Sequence, residues 1–111
     1  MSAAQAFVAY NNWERDDRGP IPFGGYVEGI GLSIKWQTGP LVKNGERVEP
    51  NGAFVETVIA AAIQRLNHYQ ESRFRCAQNE TAIYRLTEAL AALEQRTADR
   101  EARGVEGTHE V

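Results

Sequence analysis

From Cys76 to Thr97 the chain repeats on a heptad rhythm, with Cys76, Asn79, Ile83, Leu86, Leu90, Leu93 and Thr97 along one seam that runs on to Arg100. Such spacing lines the side chains along one face of a helix and requires a second helix to cover it. The preceding stretch supplies one. Between Gly52 and about Gln70, Val55, Val58, Ala62, Leu66 and Tyr69 recur every three or four residues, and Ile59 and Ile63 widen the stripe. Pro50 ends what comes before, and Asn51 is a residue type that caps a helix start, so the first helix is expected from there. Ser72 is expected to cap the second helix and Gly104 to stop it. The two should pack as an antiparallel hairpin. At about 1.5 Å per residue they measure roughly 28 and 42 Å, which leaves Leu93, Arg96, Arg100 and Arg103 on turns that outrun the first helix.

The first half follows a different grammar. Residues 6–13 are aromatic and β-branched and read as an edge strand, followed by a turn-rich stretch from Asp16 to Gly25 that holds Pro20, Pro22 and three glycines. From Glu28 to Gln37 the residues alternate, with Ile30, Leu32, Ile34 and Trp36 on one side, which predicts one half-buried antiparallel strand. Asn44-Gly45 between Leu41-Val42-Lys43 and Glu46-Arg47-Val48 predicts a two-residue hairpin turn. The expected fold class is therefore α+β: a single domain over 1–111, with an antiparallel sheet over 1–49, a two-helix hairpin over 50–103 and a C-terminal tail over 104–111.

Composition removes several function classes. At 111 residues one modest core is available, and a large cavity needs a second chain. No apolar run approaches a membrane span, and the N-terminus lacks a leader pattern, so a cytoplasmic protein is expected. A net charge of −3 argues against binding DNA or RNA. Cys76 with only His68 and His109 gives no metal-ligand set, and neither histidine is placed to activate that thiol. Gly29-Ile30-Gly31 lacks the third glycine of a dinucleotide loop, and Asn79-Glu80-Thr81 lies inside a helix, where glycosylation has no access. No enzyme and no cofactor are expected.

The cations are the informative group. Ten of twelve are arginine, and from Gly52 onward there are seven arginines and no lysine. Arginine presents a planar fork that fits phosphate and carboxylate. Arg96, Arg100 and Arg103 stand at i, i+4 and i+7, so three like charges share one stripe. Either Asp99 pairs with Arg96 and Arg103, or the stripe is a phosphate clamp completed by another chain. Asn79 on the seam fixes helix register or hydrogen-bonds a purine edge. Tyr69 and Phe74 beside the hairpin turn either pack or stack a base.

The run PNGAFVETVIAAAIQRLNHYQ, the words HYQESRF and CAQNE, the tail ARGVEGTHEV and IKWQTGPL at 34–41 resemble the hairpin domain shared by two phage sponge families, the first Thoeris anti-defence type and the second anti-CBASS type. The Thoeris type is the more similar, over roughly residues 28–111. The resemblance implies an oligomer, dimer or hexamer, that sequesters glycocyclic ADP-ribose signals made by TIR enzymes, and in some members cyclic di- or trinucleotides, without cleaving them. It implies Asn79 as a base contact, Arg96 and Arg100 as phosphate and ribose contacts, and Arg103, Gly104, Val105 and Thr108 as a ligand-closing segment. Tyr69 or Phe74 then stacks on the base, and Arg47 is a further candidate from the sheet. The competing expectation is a structural or host-protein-binding phage protein whose arginines make only salt bridges.

Overall fold

A computed structural model describes residues 4–104 and Thr108. The fold is α+β, a small antiparallel sheet followed by two helices, in the order β1 (Phe7–Asp16), β2 (Gly19–Gly29), β3 (Leu32–Lys35), β4 (Val42–Lys43), β5 (Glu46–Arg47), α1 (Val55–Gln70) and α2 (Ala77–Ala102). The chain forms two compact units that divide between Phe54 and Val55.

In the first unit the sheet order is β1-β2-β3, all antiparallel. The expected turn-rich stretch from Asp16 to Gly25 is instead strand for most of its length. The turn takes only Asp17 and Arg18, where the Arg18 amide donates to Asp16 Oδ1 at 2.8 Å, and β2 runs through both prolines, opposite Arg15 and Trp13. Two prolines two residues apart turn their nitrogens to the same side. Here that side is the one away from β1, where no ladder N–H is needed because β3 joins only from Tyr26 onward.

The strand expected over Glu28–Gln37 is also corrected, since it is a hairpin. Gly29 pairs with Leu32, and Ile30 sits in the turn with 82% of its surface exposed. Gly31 takes φ 71°, which the third position of such a turn requires. The hairpin at Asn44-Gly45 forms as expected, with φ 53° and 79°, and the Val48 amide closes it on the Leu41 carbonyl at 2.7 Å.

Asn51 does not cap α1. Its carboxamide accepts from the Thr38 amide at 2.8 Å and donates to the Thr38 carbonyl at 3.0 Å, while its own amide donates to Gln37 Oε1 at 2.9 Å. Ala53 then bridges Trp36 in parallel fashion. Gly52 permits this, because a Cβ there would meet the Trp36 carbonyl carbon and oxygen at 2.5 Å. Sheet hydrogen bonds therefore hold the chain until Ala53, and α1 starts at Val55.

In the second unit α1 and α2 pack antiparallel. The half-buried face of α2 comprises Asn79, Ala82, Ile83, Leu86, Leu90, Leu93, Thr97 and Arg100, which is the heptad seam read from the sequence with Ala82 added. On α1 the corresponding face is Ile59, Ile63, Leu66 and Gln70 with Glu56 and Val58, whereas Val55, Ala62 and Tyr69 of the expected stripe are exposed. The α1 sequence carries two apolar stripes, and the one rich in isoleucine meets α2. Among the described residues none is buried, so even the seam is only half covered within one chain.

The hairpin closes through a side chain that periodicity does not single out. Gln70 donates through Nε2 to the Cys76 carbonyl at 3.1 Å and accepts from the Cys76 amide at 3.1 Å. Cys76, not Ser72, caps α2, its sulfur accepting from the Asn79 amide at 3.4 Å. Ser72 instead shapes the turn, with its hydroxyl donating to the Tyr69 carbonyl and accepting from the Phe74 amide. Gln70→Ala leaves two part-buried backbone groups without their partner, so a loss of about 1–3 kcal/mol is expected, read as a lower midpoint in thermal or urea unfolding. At the far end Arg103 and Gly104 finish α2, with Gly104 at φ 74° and its amide donating to the Glu101 carbonyl at 3.0 Å, the stop expected of it.

Candidate functional site

The candidate residues of the helical unit fall into two groups at opposite ends of α2. The first surrounds the hairpin turn. Tyr69 keeps 37% of its surface and Phe74 65%, and the Asn79 carboxamide donates to the Phe74 carbonyl at 3.4 Å. Each ring carries a guanidinium over its face, Arg65 at 5.0 Å from the Tyr69 centroid and Arg73 at 5.1 Å from that of Phe74. An aromatic face with a cation over it is polarised yet accessible from its other side, the arrangement on which a flat base stacks.

The second group is the arginine stripe. Arg96, Arg100 and Arg103, with Ala92, Gln95 and Asp99, line one open groove of ≈ 510 Å³, within the range of roughly 300–1,000 Å³ typical of small-molecule sites. The pairing of Arg96 with Asp99 weighed from the sequence is replaced by another. Arg96 Nη2 reaches Glu56 Oε1 at 3.3 Å, with Arg96 60% and Glu56 28% exposed, while Asp99 accepts from Gln95 Nε2 at 2.9 Å. A pair this exposed contributes under about 1 kcal/mol, so Arg96 is released from Glu56 at little cost. Arg100 and Arg103 are engaged by other residues of the chain.

The Arg96–Glu56 bridge also marks the register of the hairpin. Arg96 lies beside the second residue of α1, so Leu93 and Arg96 run alongside α1 and only Arg100 and Arg103 project beyond its start. The projecting part of α2 is therefore shorter than its sequence length implied, even though α1 begins later, because α2 itself starts only at Ala77 and pairs further along.

Separation along α2 constrains what the two groups can do together. Asn79 and Arg96 are 17 residues apart and Asn79 and Arg100 are 21, about 26 and 32 Å of helix. One chain cannot bring both ends of α2 onto one mononucleotide-sized ligand. Asn79 and Arg100 do share a phase: with Leu86 and Leu93 between them they occupy one heptad position three repeats apart, and all four are half-buried.

Of the remaining candidates, Arg47 lies on β5 in the first unit and is exposed. Gly104 ends α2, Thr108 is half-exposed, and Val105 lies outside the described residues. Among the described residues no His, Cys, Asp or Glu cluster is arranged to hold a metal ion, and no helix is long and apolar enough to cross a membrane. Glu56 and Gln95 are the site residues that sequence reading missed; an acid 40 positions from its cation leaves no local spacing signal.

Comparison with known proteins places these features in context. Residues 28–98 match the family model described as the Acb2/Tad1 hairpin domain, which spans β3, both helices to within five residues of the end of α2, and the hairpin at Asn44-Gly45. Thoeris anti-defense 1 of Bacillus phage SBSphiJ7 is 47% identical over 78 residues, 70% of this chain and 52% of that protein. The chain thus matches about half the length of that relative.

Proposed function

This chain belongs to the Acb2/Tad1 hairpin-domain family, and on that premise we propose that it is a phage anti-defence protein that counters Thoeris by binding its cyclic nucleotide signal without cleaving it. The ligand class is glycocyclic ADP-ribose, with cyclic di- and trinucleotides as further candidates. The observation that carries the reading is the convergence of Arg96, Arg100 and Arg103 on one open groove of ≈ 510 Å³. Three forked cations along one open helix face match a diphosphate bridge, to which each charge-assisted hydrogen bond contributes about 1.5–3 kcal/mol.

The distance along α2 then supports a site shared between copies. If α2 of a second copy lies antiparallel across the half-open seam, with the two-fold between Ala89 and Leu90, Asn79 of one copy falls opposite Arg100 of the other and Leu86 opposite Leu93. The turn group supplies a stacking ring and an amide for the base, and the arginine group supplies the phosphate clamp. The same contact covers the seam that one chain leaves half-exposed, so assembly and ligand capture share one interface. Nanomolar capture needs about 12 kcal/mol, more than either group alone provides.

The test incubates purified protein with glycocyclic ADP-ribose isomers and cyclic oligonucleotides and measures free ligand by chromatography before and after heating. Loss from solution followed by intact recovery is the expected result and identifies the ligand. No loss at micromolar protein would overturn the reading and favour a protein partner, whereas a converted product would point to an enzyme.

A further inference from the structure

We propose that β1 makes a second, edge-to-edge contact between copies of this chain, in which two β1 strands pair antiparallel about Tyr10 and join their sheets. β1 is an outer strand of the three-stranded sheet, and all ten of its residues are exposed. Phe7, Val8, Tyr10 and Trp13 retain 53–65% of their surface. A long apolar outer strand is a template for another strand, and proteins that avoid such pairing place lysine, proline or a bulge there. β1 contains no lysine or proline. Its pairing irregularity adds the extra residue to β2, where Phe23 and Gly24 face Asn12 alone.

The backbone determines which groups face outward. The two-residue turn makes Asp16 and Gly19 a hydrogen-bonded pair, so even-numbered β1 residues direct their amides and carbonyls toward β2 and odd-numbered ones direct theirs to the open edge. Phe7, Ala9, Asn11, Trp13 and Arg15 therefore present the docking ladder.

The edge is complementary to itself when centred on Tyr10. Phe7 then lies opposite Trp13 of the second copy and Ala9 opposite Asn11, each on a hydrogen-bonded rung, while Tyr10 meets its own counterpart. Aromatic rings meet on one face. On the other, the Tyr10–Tyr26 stack, with centroids 5.8 Å apart, continues across the junction. Charge favours the same register, because Glu14 and Arg15 fall opposite Ala6 and Gln5, whereas a register centred on Glu14 opposes two carboxylates. A second copy is the occupant that satisfies ladder, rings and charge together. β1 precedes the family match, which begins at residue 28, and the contact is independent of the arginine groove.

Disulfide trapping of the full chain tests this, in a Cys76→Ser background that leaves one cysteine per variant. With Tyr10→Cys the two Cα atoms are about 4.5 Å apart across a non-hydrogen-bonded pair, within disulfide reach, and mild oxidation is expected to give a covalent dimer. With Val8→Cys the counterparts are about 13 Å apart and no such dimer forms. Ala9→Pro removes an outward amide without touching the β1–β2 ladder, and Asn11→Lys adds a charge to the same edge. Each is expected to lower the assembly's mass in light scattering and to abolish the Tyr10→Cys dimer. No trapping at Tyr10→Cys, equal trapping at both positions, or an unchanged mass in both edge variants would overturn the proposal.

Discussion

Arg100→Ala is expected to weaken binding of a glycocyclic ADP-ribose about 10- to 100-fold, the loss of about 1.5–3 kcal/mol that one charge-assisted contact provides. The position matters because Arg100 joins two features: it lines the groove with Arg96 and Arg103, and it continues the half-buried seam in phase with Asn79, Leu86 and Leu93. Arg100→Lys separates the two. It keeps the charge and the aliphatic stem but loses the planar fork, so affinity should fall to an intermediate value. Titration calorimetry reads the affinity and light scattering the mass. An alanine variant that binds as the parent does would remove Arg100 from the site, and one that binds weakly only because its assembly has fallen apart would make it a structural residue.

Two weakened variants are expected to regenerate tight binding when mixed. Asn79→Ala and Arg100→Ala each damage every shared site in their own assemblies, because each site draws one group from each copy. If copies exchange, half of the random pairs contain one chain of each kind. One of the two sites in such a pair has both Asn79 and Arg100 intact, so about a quarter of the parent capacity returns. The geometry behind this is the roughly 32 Å of α2 between the two residues. The measurement is ligand depletion by each variant alone and by the mixture after exchange. A mixture no better than its components would mean that the two residues do not serve one ligand.

The helical half of the fold was legible because its signal is periodic. The seam from Cys76 to Thr97 is the half-buried face of α2, and Gly104 ends that helix through a positive φ. Asn44-Gly45 was equally legible, since few residue pairs adopt that turn. What escaped were places where distant contacts override local chemistry. Pro20 and Pro22 indicate a turn, yet with β3 absent alongside them their missing amides cost nothing and the strand continues. Ile30 continues the alternation into a turn that Gly31 makes. Asn51 has the chemistry of a helix cap and is used instead to clamp Thr38 and Gln37, 13 and 14 residues earlier.

The candidate site was legible in part for the same reason. Spacing along α2 was enough to place Arg96, Arg100 and Arg103 on one groove. It did not reveal that Glu56 holds Arg96, or that Asn79, Phe74 and Tyr69 form a separate group around the turn, because both depend on the register of the hairpin and the hydrogen bonds of its turn.

The uninterrupted run of α2 from Ala77 to Ala102 also limits how such a sequence can change in length. Each residue inserted between Asn79 and Arg100 lengthens the helix by about 1.5 Å and rotates everything beyond it by about 100°. A single insertion would swing the arginine groove away from the seam, whereas seven together would nearly restore the phase but add about 10 Å. Substitution along this helix is therefore open at outward positions away from the arginine groove, while insertion and deletion between Asn79 and Arg100 shift that groove against the seam.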